Sequence, residues 1–173
     1  MTKTYFRNGT GKVTFFIVLS FWVGLVLEIL AIAAPNVPKF EVIAQDKTAL
    51  SILVPKNTTA EQLKALIFEF RNARKNNSLS KMIPPTTKGG EFGDYAIVWI
   101  FVFSEPDWAT ADKLQRFMKS SLKSATDKQF NREYVKHITA EYFYGYLSEE
   151  YGNLGYDDGI VRSPNYKRIF FEN

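Results

Sequence analysis

The chain has one histidine, His137, within VKHITAEYFYGY. If that segment is a strand, Thr139 and Glu141 share the histidine's face, because strand side chains alternate. Ser104, Glu105 and Asp107 follow a neighbouring apolar run and can approach the same place. A histidine between a hydroxyl nucleophile and an orienting carboxylate is the arrangement of acyl transfer. His137, Glu141, Ser104 and Asp107 are therefore the candidate catalytic set of a small exported hydrolase. No G-x-S-x-G elbow accompanies them, and a lone histidine on a strand reads first as structural.

A second set of residues suits binding rather than catalysis. The stretch Ser78 to Asp94, SLSKMIPPTTKGGEFGD, is longer than an ordinary connection, and such loops often carry function. It holds Thr86, Thr87 and Lys88 beside Gly89 and Gly90. Backbone amides at such glycines can cradle an anion, with lysine supplying charge. A tyrosine series follows at 142, 144, 146, 151 and 156. Rings with polar tips make platforms for sugars, peptides or partner chains. Tyr144 and Tyr151 join the loop residues as candidate ligand contacts.

Other chemistries are excluded or disfavoured. There is no cysteine, so disulfides, thiolate metal sites, iron–sulfur clusters and thiol nucleophiles are absent. One imidazole does not make a histidine-based metal site, and no metal or cofactor is expected. Glu149-Glu150 and Asp157-Asp158-Gly159 lack the spacing of an EF-hand loop and read as solvated acidic turns. Gly9-Thr10-Gly11-Lys12 is no phosphate loop: the full pattern needs Gly where Phe6 stands and Ser or Thr where Val13 stands. Net charge is +4, of which +2 belongs to residues 1–34. Arg71, Arg74 and Lys75 read as a solvated helix face, and no nucleic-acid partner is expected. Asn57-Thr58-Thr59 and Asn76-Asn77-Ser78 match the glycosylation pattern, which matters only in a eukaryotic secretory host.

The elements that must position these residues begin with a targeting segment. Residues 13–34 carry one charge, Glu28, and as a helix would be about 33 Å long, enough for a bilayer core. Lys3, Arg7 and Lys12 in the basic region 1–12 precede it, which places the N-terminus in the cytoplasm and the remainder outside. The expectation is a single-pass protein held in the lipid bilayer through 13–34. The alternative is a signal peptide with its apolar region at Val13 to Leu27, cut near Ala33, releasing a secreted or periplasmic domain.

Residues 35–38 form a short linker, 39–146 a domain, and 147–173 a Tyr-, Gly- and Asp-rich, mostly irregular extension. Phe40 to Ala44 and Ala49 to Val54 read as a hairpin around Gln45 to Thr48. Thr58-Thr59-Ala60-Glu61 opens a helix as a capping box, and Leu63, Leu66, Ile67 and Phe70 give it one apolar stripe. Tyr95 to Phe103, apolar on both alternating faces, predicts a central strand buried on both sides. Thr110 to Ser121 predicts a second helix with Leu114, Phe117, Met118 and Leu122 inward, and Val135 to Tyr146 a further strand. Tyr166 to Phe171 suggests a short added strand.

The order β-β-α-β-α-β predicts an α/β (α+β) fold. It is expected as a small two-layer domain with a mixed sheet of about four strands and parallel pairs joined by two helices, mainly on one face. The other apolar face of the central strand would then need a cover, from the tail or from a second copy of the chain. The expected function is a non-catalytic, membrane-tethered module that binds a protein partner or small ligand. The exported hydrolase and a structural homo-oligomer stand as alternatives.

Overall fold

A computed structural model describes residues 36–120, 124–147 and 149–171. The expected span over 13–34, its alternative cleavage near Ala33, and Ser121 and Leu122 lie outside them. Among the described residues no helix is long and apolar enough to cross a membrane. Residues 35–173 form a compact unit of their own.

Among the described residues the unit is α/β, with six strands in one mixed sheet and three helices. The strands are β1 (Glu41–Asp46), β2 (Ala49–Leu53), β3 (Val98–Phe103), β4 (Ile138–Tyr144), β5 (Glu150–Leu154) and β6 (Lys167–Ile169), side by side in chain order. The helices are α1 (Ala60–Lys75), α2 (Ala111–Lys119) and α3 (Ala125–Tyr134). The sheet is thus larger than the four strands expected.

β1 and β2 form the expected hairpin, turned by Lys47 in the left-handed region at φ 51°. The cap of α1 lies one residue later than the sequence suggests. Thr59 and Gln62 exchange the reciprocal bonds, while the Thr58 hydroxyl donates to the Pro55 carbonyl. Asn77 at φ 52° ends α1, with the Asn77 and Ser78 amides returning to Arg74 and Ala73; such a left-handed residue satisfies the last carbonyls. Leu63, Leu66, Ile67 and Phe70 are buried as predicted.

β3 starts at Val98, not at Tyr95. The backbone just before it is satisfied by the preceding loop: Thr87 Oγ1 accepts from the Ala96 amide and Thr86 Oγ1 donates to the Ile97 carbonyl. β3 pairs in parallel with β2 across the α1 crossover, but antiparallel with β4. The second parallel pair fails because two helices, not one, join β3 to β4. α2 and α3 take the chain out and back, so Ile138 begins β4 opposite Phe103, where β3 ended.

The helices are not mainly on one face. α1 packs on the side carrying Leu50, Ile52, Ile100, Val102 and Tyr142. On the opposite side Phe101, Phe103 and Ile138 meet Leu114 of α2, Tyr134 of α3 and Tyr156 from the connection after β5. The second face of the central strand is therefore covered within the chain.

α3 and β5 are absent from the sequence expectations. α3, ATDKQFNREY, buries only Asn131 and Tyr134 and shows little stripe; its one local signal is Ser124, whose side chain accepts from the Asp127 amide as an N-cap. β5 has a glycine at its centre. A Cβ at Gly152 would collide with the Ile67 side chain of α1, so the close approach of helix and strand requires glycine there.

Phe101 is fully buried between Trp99, Phe117 and Tyr156. Phe101→Ala is expected to destabilise the fold by about 3–5 kcal/mol, read from the urea midpoint at constant m-value. A change under about 1 kcal/mol would mean that this side of the sheet is not a packed core.

Candidate functional site

The long loop is internally bonded. The Thr86 and Thr87 amides both donate to the Asp94 carbonyl, Thr87 Oγ1 donates to the Gly93 carbonyl, and Gly90 N donates to the Thr87 carbonyl. The Gly89 amide, at φ 69°, donates to Asp94 Oδ1. The amides expected to cradle an anion are thus already engaged, and the Lys88 side chain is exposed. A 3-10 turn at Leu79–Lys81 opens the loop, and the Tyr95 hydroxyl anchors its far end on the Ile83 carbonyl.

This folded loop presents Phe92, Asp94 and Tyr95 to a cleft of about 470 Å³. Arg74 at the end of α1, Tyr144 at the end of β4 and Tyr146 just beyond it also line the cleft. Phe92 and Tyr146 stack at 5.4 Å with 66% and 52% of their surfaces exposed, an aromatic pair that solvent still reaches. Of the ligand contacts expected from sequence, Tyr144 lines the cleft. Thr86, Thr87, Gly89 and Gly90 fold the loop that carries the lining residues.

The opposite wall is fixed by one carboxylate. Glu150, at the start of β5, takes Arg74 in a bidentate pair at 2.8 and 3.0 Å, the Tyr142 hydroxyl at 2.7 Å and Arg71 Nε at 3.4 Å. Burial works to raise the Glu150 carboxyl, but Arg74, Tyr142 and Arg71 outweigh it and hold it below the usual range. The Arg74 guanidinium lies over the Tyr144 ring at 4.4 Å, a geometry favourable to both groups. Arg71 is buried against the Phe171 ring at 4.6 Å, so it is not part of a solvated helix face. Glu150 is likewise no solvated turn residue.

His137 lies in a 3-10 turn, Val135–His137, not on the strand. Its ring stacks on Trp108 at 3.9 Å, with Nδ1 3.3 Å from Glu105 and Nε2 3.5 Å from Glu133. Among the described residues its partners are two carboxylates and an indole, and none is a hydroxyl nucleophile. Ser104 is half-buried and Asp107 exposed nearby in sequence. Glu141 belongs to a different network. Fully buried on β4, it accepts from Asn153 Nδ2 at 2.7 Å, Trp99 Nε1 at 3.2 Å and the Asp157 amide at 3.3 Å.

Tyr151 stacks on Phe143 at 5.0 Å and lines two smaller hollows. Asp157 pairs with Arg162 at 2.6 Å, and Asp158 caps the Ile160 and Val161 amides. No group of three or more metal-binding side chains occurs among the described residues.

Several cleft residues went unselected by sequence reasoning. Phe92 is a large apolar residue isolated between Gly90 and Gly93, a context in which a ring has little local structure to bury it, and that was the available signal. Arg74 and Glu150 carried none, because their pairing spans 76 residues.

Burial raises the Glu141 carboxyl to about 7, against the bonds from Asn153 and Trp99 that favour its charged form. A raised pKa means the folded state holds the proton more tightly than the unfolded chain. Its contribution to stability is full at low pH, falls as pH rises from about 4.5 to about 7, and is flat above. Parent minus Glu141→Gln stability should therefore drop by up to about 3 kcal/mol across that window, measured by urea titration at several pH values. A pH-independent difference would show that Glu141 titrates normally. Comparison with protein-family models, curated proteins and solved structures finds no match to this chain.

Proposed function

We propose that the protein is a non-catalytic binding module, tethered to a membrane by residues 13–34 with its α/β domain outside the cytoplasm. It takes a small ligand or a short segment of a protein partner in the cleft between the long loop and the end of β4. The observation that carries this reading is the convergence of two separate aromatic segments on one hollow. Phe92 and Tyr95 come from the loop and Tyr144 and Tyr146 from the strand end, around Arg74 and Asp94. Hollows of several hundred Å³ lined by aromatic rings with a few polar groups are the usual form of ligand sites. The internal bonding of the loop supports it further, because a preformed wall loses little entropy on binding. The alternative hydrolase lacks such support, since both ring nitrogens of His137 face carboxylates.

The test uses full-length protein in detergent micelles, screened by ligand-observed NMR against small aromatic, peptide and sugar fragments. Binders are expected. The double substitution Phe92→Ser and Tyr146→Ser should weaken them at least about tenfold while moving Tm by no more than about 2 °C, because both rings are exposed. Equal binding to the double variant would remove the cleft from the reading. Cell fractionation with intact mass tests the tether: full-length mass in the membrane fraction is expected, and a soluble product beginning near Ala34 would contradict it.

A further inference from the structure

The polar groups of the loop cleft narrow its ligand to one chemical class, on the reading that the cleft is a binding site. Phe92 and Tyr146 lie nearly parallel, at 14°, and both rings are exposed. A parallel pair hides one face of each ring inside the stack, so the exposure falls on the outer faces and edges. The cleft thus offers a flat apolar surface to a ligand arriving from water.

Charge does not select that ligand. Arg74 and Asp94 are the charged residues of the lining. The Arg74 guanidinium is spent on Glu150 in a bidentate pair and covers the Tyr144 ring, so it is no anchor for an anion. A cation would meet only Asp94, an exposed carboxylate whose Oδ1 already accepts the Gly89 amide, with Arg74 in the same lining. An exposed pair of that kind contributes little.

Hydrogen-bonding groups do select it. Asn77, just past α1, is exposed at the cleft, and among the described residues its side-chain amide has no partner. Asp94 Oδ2 and the Tyr144 and Tyr146 hydroxyls are also without internal partners among the described residues. The lining therefore presents donors at Asn77 Nδ2 and the phenols, and acceptors at Asn77 Oδ1 and Asp94 Oδ2. A wholly apolar ligand would strip water from these groups and return no bond. A proline-rich segment brings apolar rings and carbonyls but few N–H groups, because proline has none, and leaves both acceptors bare. Hydroxyls donate and accept, so a ring with a C–H face and a hydroxyl rim meets both demands.

We infer that the cleft binds an uncharged pyranose of gluco configuration. In a β-glucoside every ring substituent is equatorial, so each face carries only axial C–H bonds. One such face lies on the Phe92 and Tyr146 rings, and the equatorial hydroxyls reach Asn77 and Asp94.

The test titrates full-length protein, in a detergent without a sugar headgroup, with methyl β-D-glucopyranoside. NMR follows the Asn77 side-chain amide and the Gly93 and Ala96 backbone amides. Sorbitol is the control that has the hydroxyls without the ring face. Saturable shifts in the millimolar range are expected, with sorbitol at least about tenfold weaker. Asn77→Gly keeps a left-handed backbone position that glycine adopts freely, and Phe92→Ser changes an exposed ring. Both should fold normally by circular dichroism and bind the glucoside at least about fivefold more weakly. Cellotetraose, titrated in parallel, separates the sources: affinity at least about tenfold higher assigns a glycan chain, and equal affinity assigns a free sugar. No saturation up to about 100 mM, equal binding of sorbitol, or unchanged affinity in either variant would overturn the inference. p-Cresol, titrated last, tells the two readings apart. If it shifts the same amides and the glucoside does not, the sugar inference falls and the cleft stands; if neither shifts them, the cleft falls as well.

Discussion

β3 has no side that tolerates water. Val98, Ile100 and Val102 point one way, Phe101 and Phe103 the other, and all five are fully buried. A strand of this kind must be covered on both faces, and much of the architecture follows from that demand. The first cover is α1, delivered by the crossover from β2 and seated on the Ile100 face. The second is a helical pair, which returns the chain to the end of β3 it left and so makes the β3–β4 pair antiparallel. Tyr156 completes that cover by stacking on Trp99 and packing against Phe101.

A polar constraint sits on top of the apolar one. Glu150 gathers Arg74, Arg71 and Tyr142, tying the last turns of α1 to β4 and β5. Its side chain is 13% exposed, so the pair is only weakly screened. Bidentate geometry adds direction as well as energy. The consequence is positional: Arg74 is held over the Tyr144 ring, and the strand end that leads to Tyr146 stands beside the loop that carries Phe92. The cleft is thereby a product of the scaffold's own packing. Threonine and aspartate bonds inside the loop fix its other wall, which is where Thr86 and Thr87 act.

Local patterns in the sequence were informative where burial has a period. The hairpin, α1 with its four-residue stripe, and the double-faced run of β3 can all be read from residue types alone. What escaped was structure whose cause is tertiary. α3 buries an asparagine and a tyrosine, not an aliphatic stripe, and owes its place to the face of β3 it covers. β5 reads as a glycine-broken acidic stretch because Ile67 leaves no room for a side chain at Gly152. Which face each helix takes depends on the number of helices in a crossover, so missing α3 also misplaced α2. At the site, the loop stood out by its length. The amides at Gly89 and Gly90 looked available because the bond from Gly89 to Asp94 and the return from Gly90 to Thr87 form only in the folded loop. The alternating pattern of Val135 to Tyr146 extends the chain through His137, whereas the chain makes a 3-10 turn there and stacks the ring on Trp108.

The cleft exists only if the loop from Ser78 to Asp94 is a preformed wall, held by its own hydrogen bonds and by the strand it precedes. Amide hydrogen exchange on the full-length protein, without added ligand, tests this most directly. The amides of Thr86, Thr87, Gly89, Gly90 and Ala96, each with an internal acceptor, are expected to exchange at least about a hundredfold more slowly than unstructured chain. Exchange of these amides at the rate of unstructured chain would contradict it, because the loop would then offer no fixed surface and the cleft would not exist before its ligand arrived.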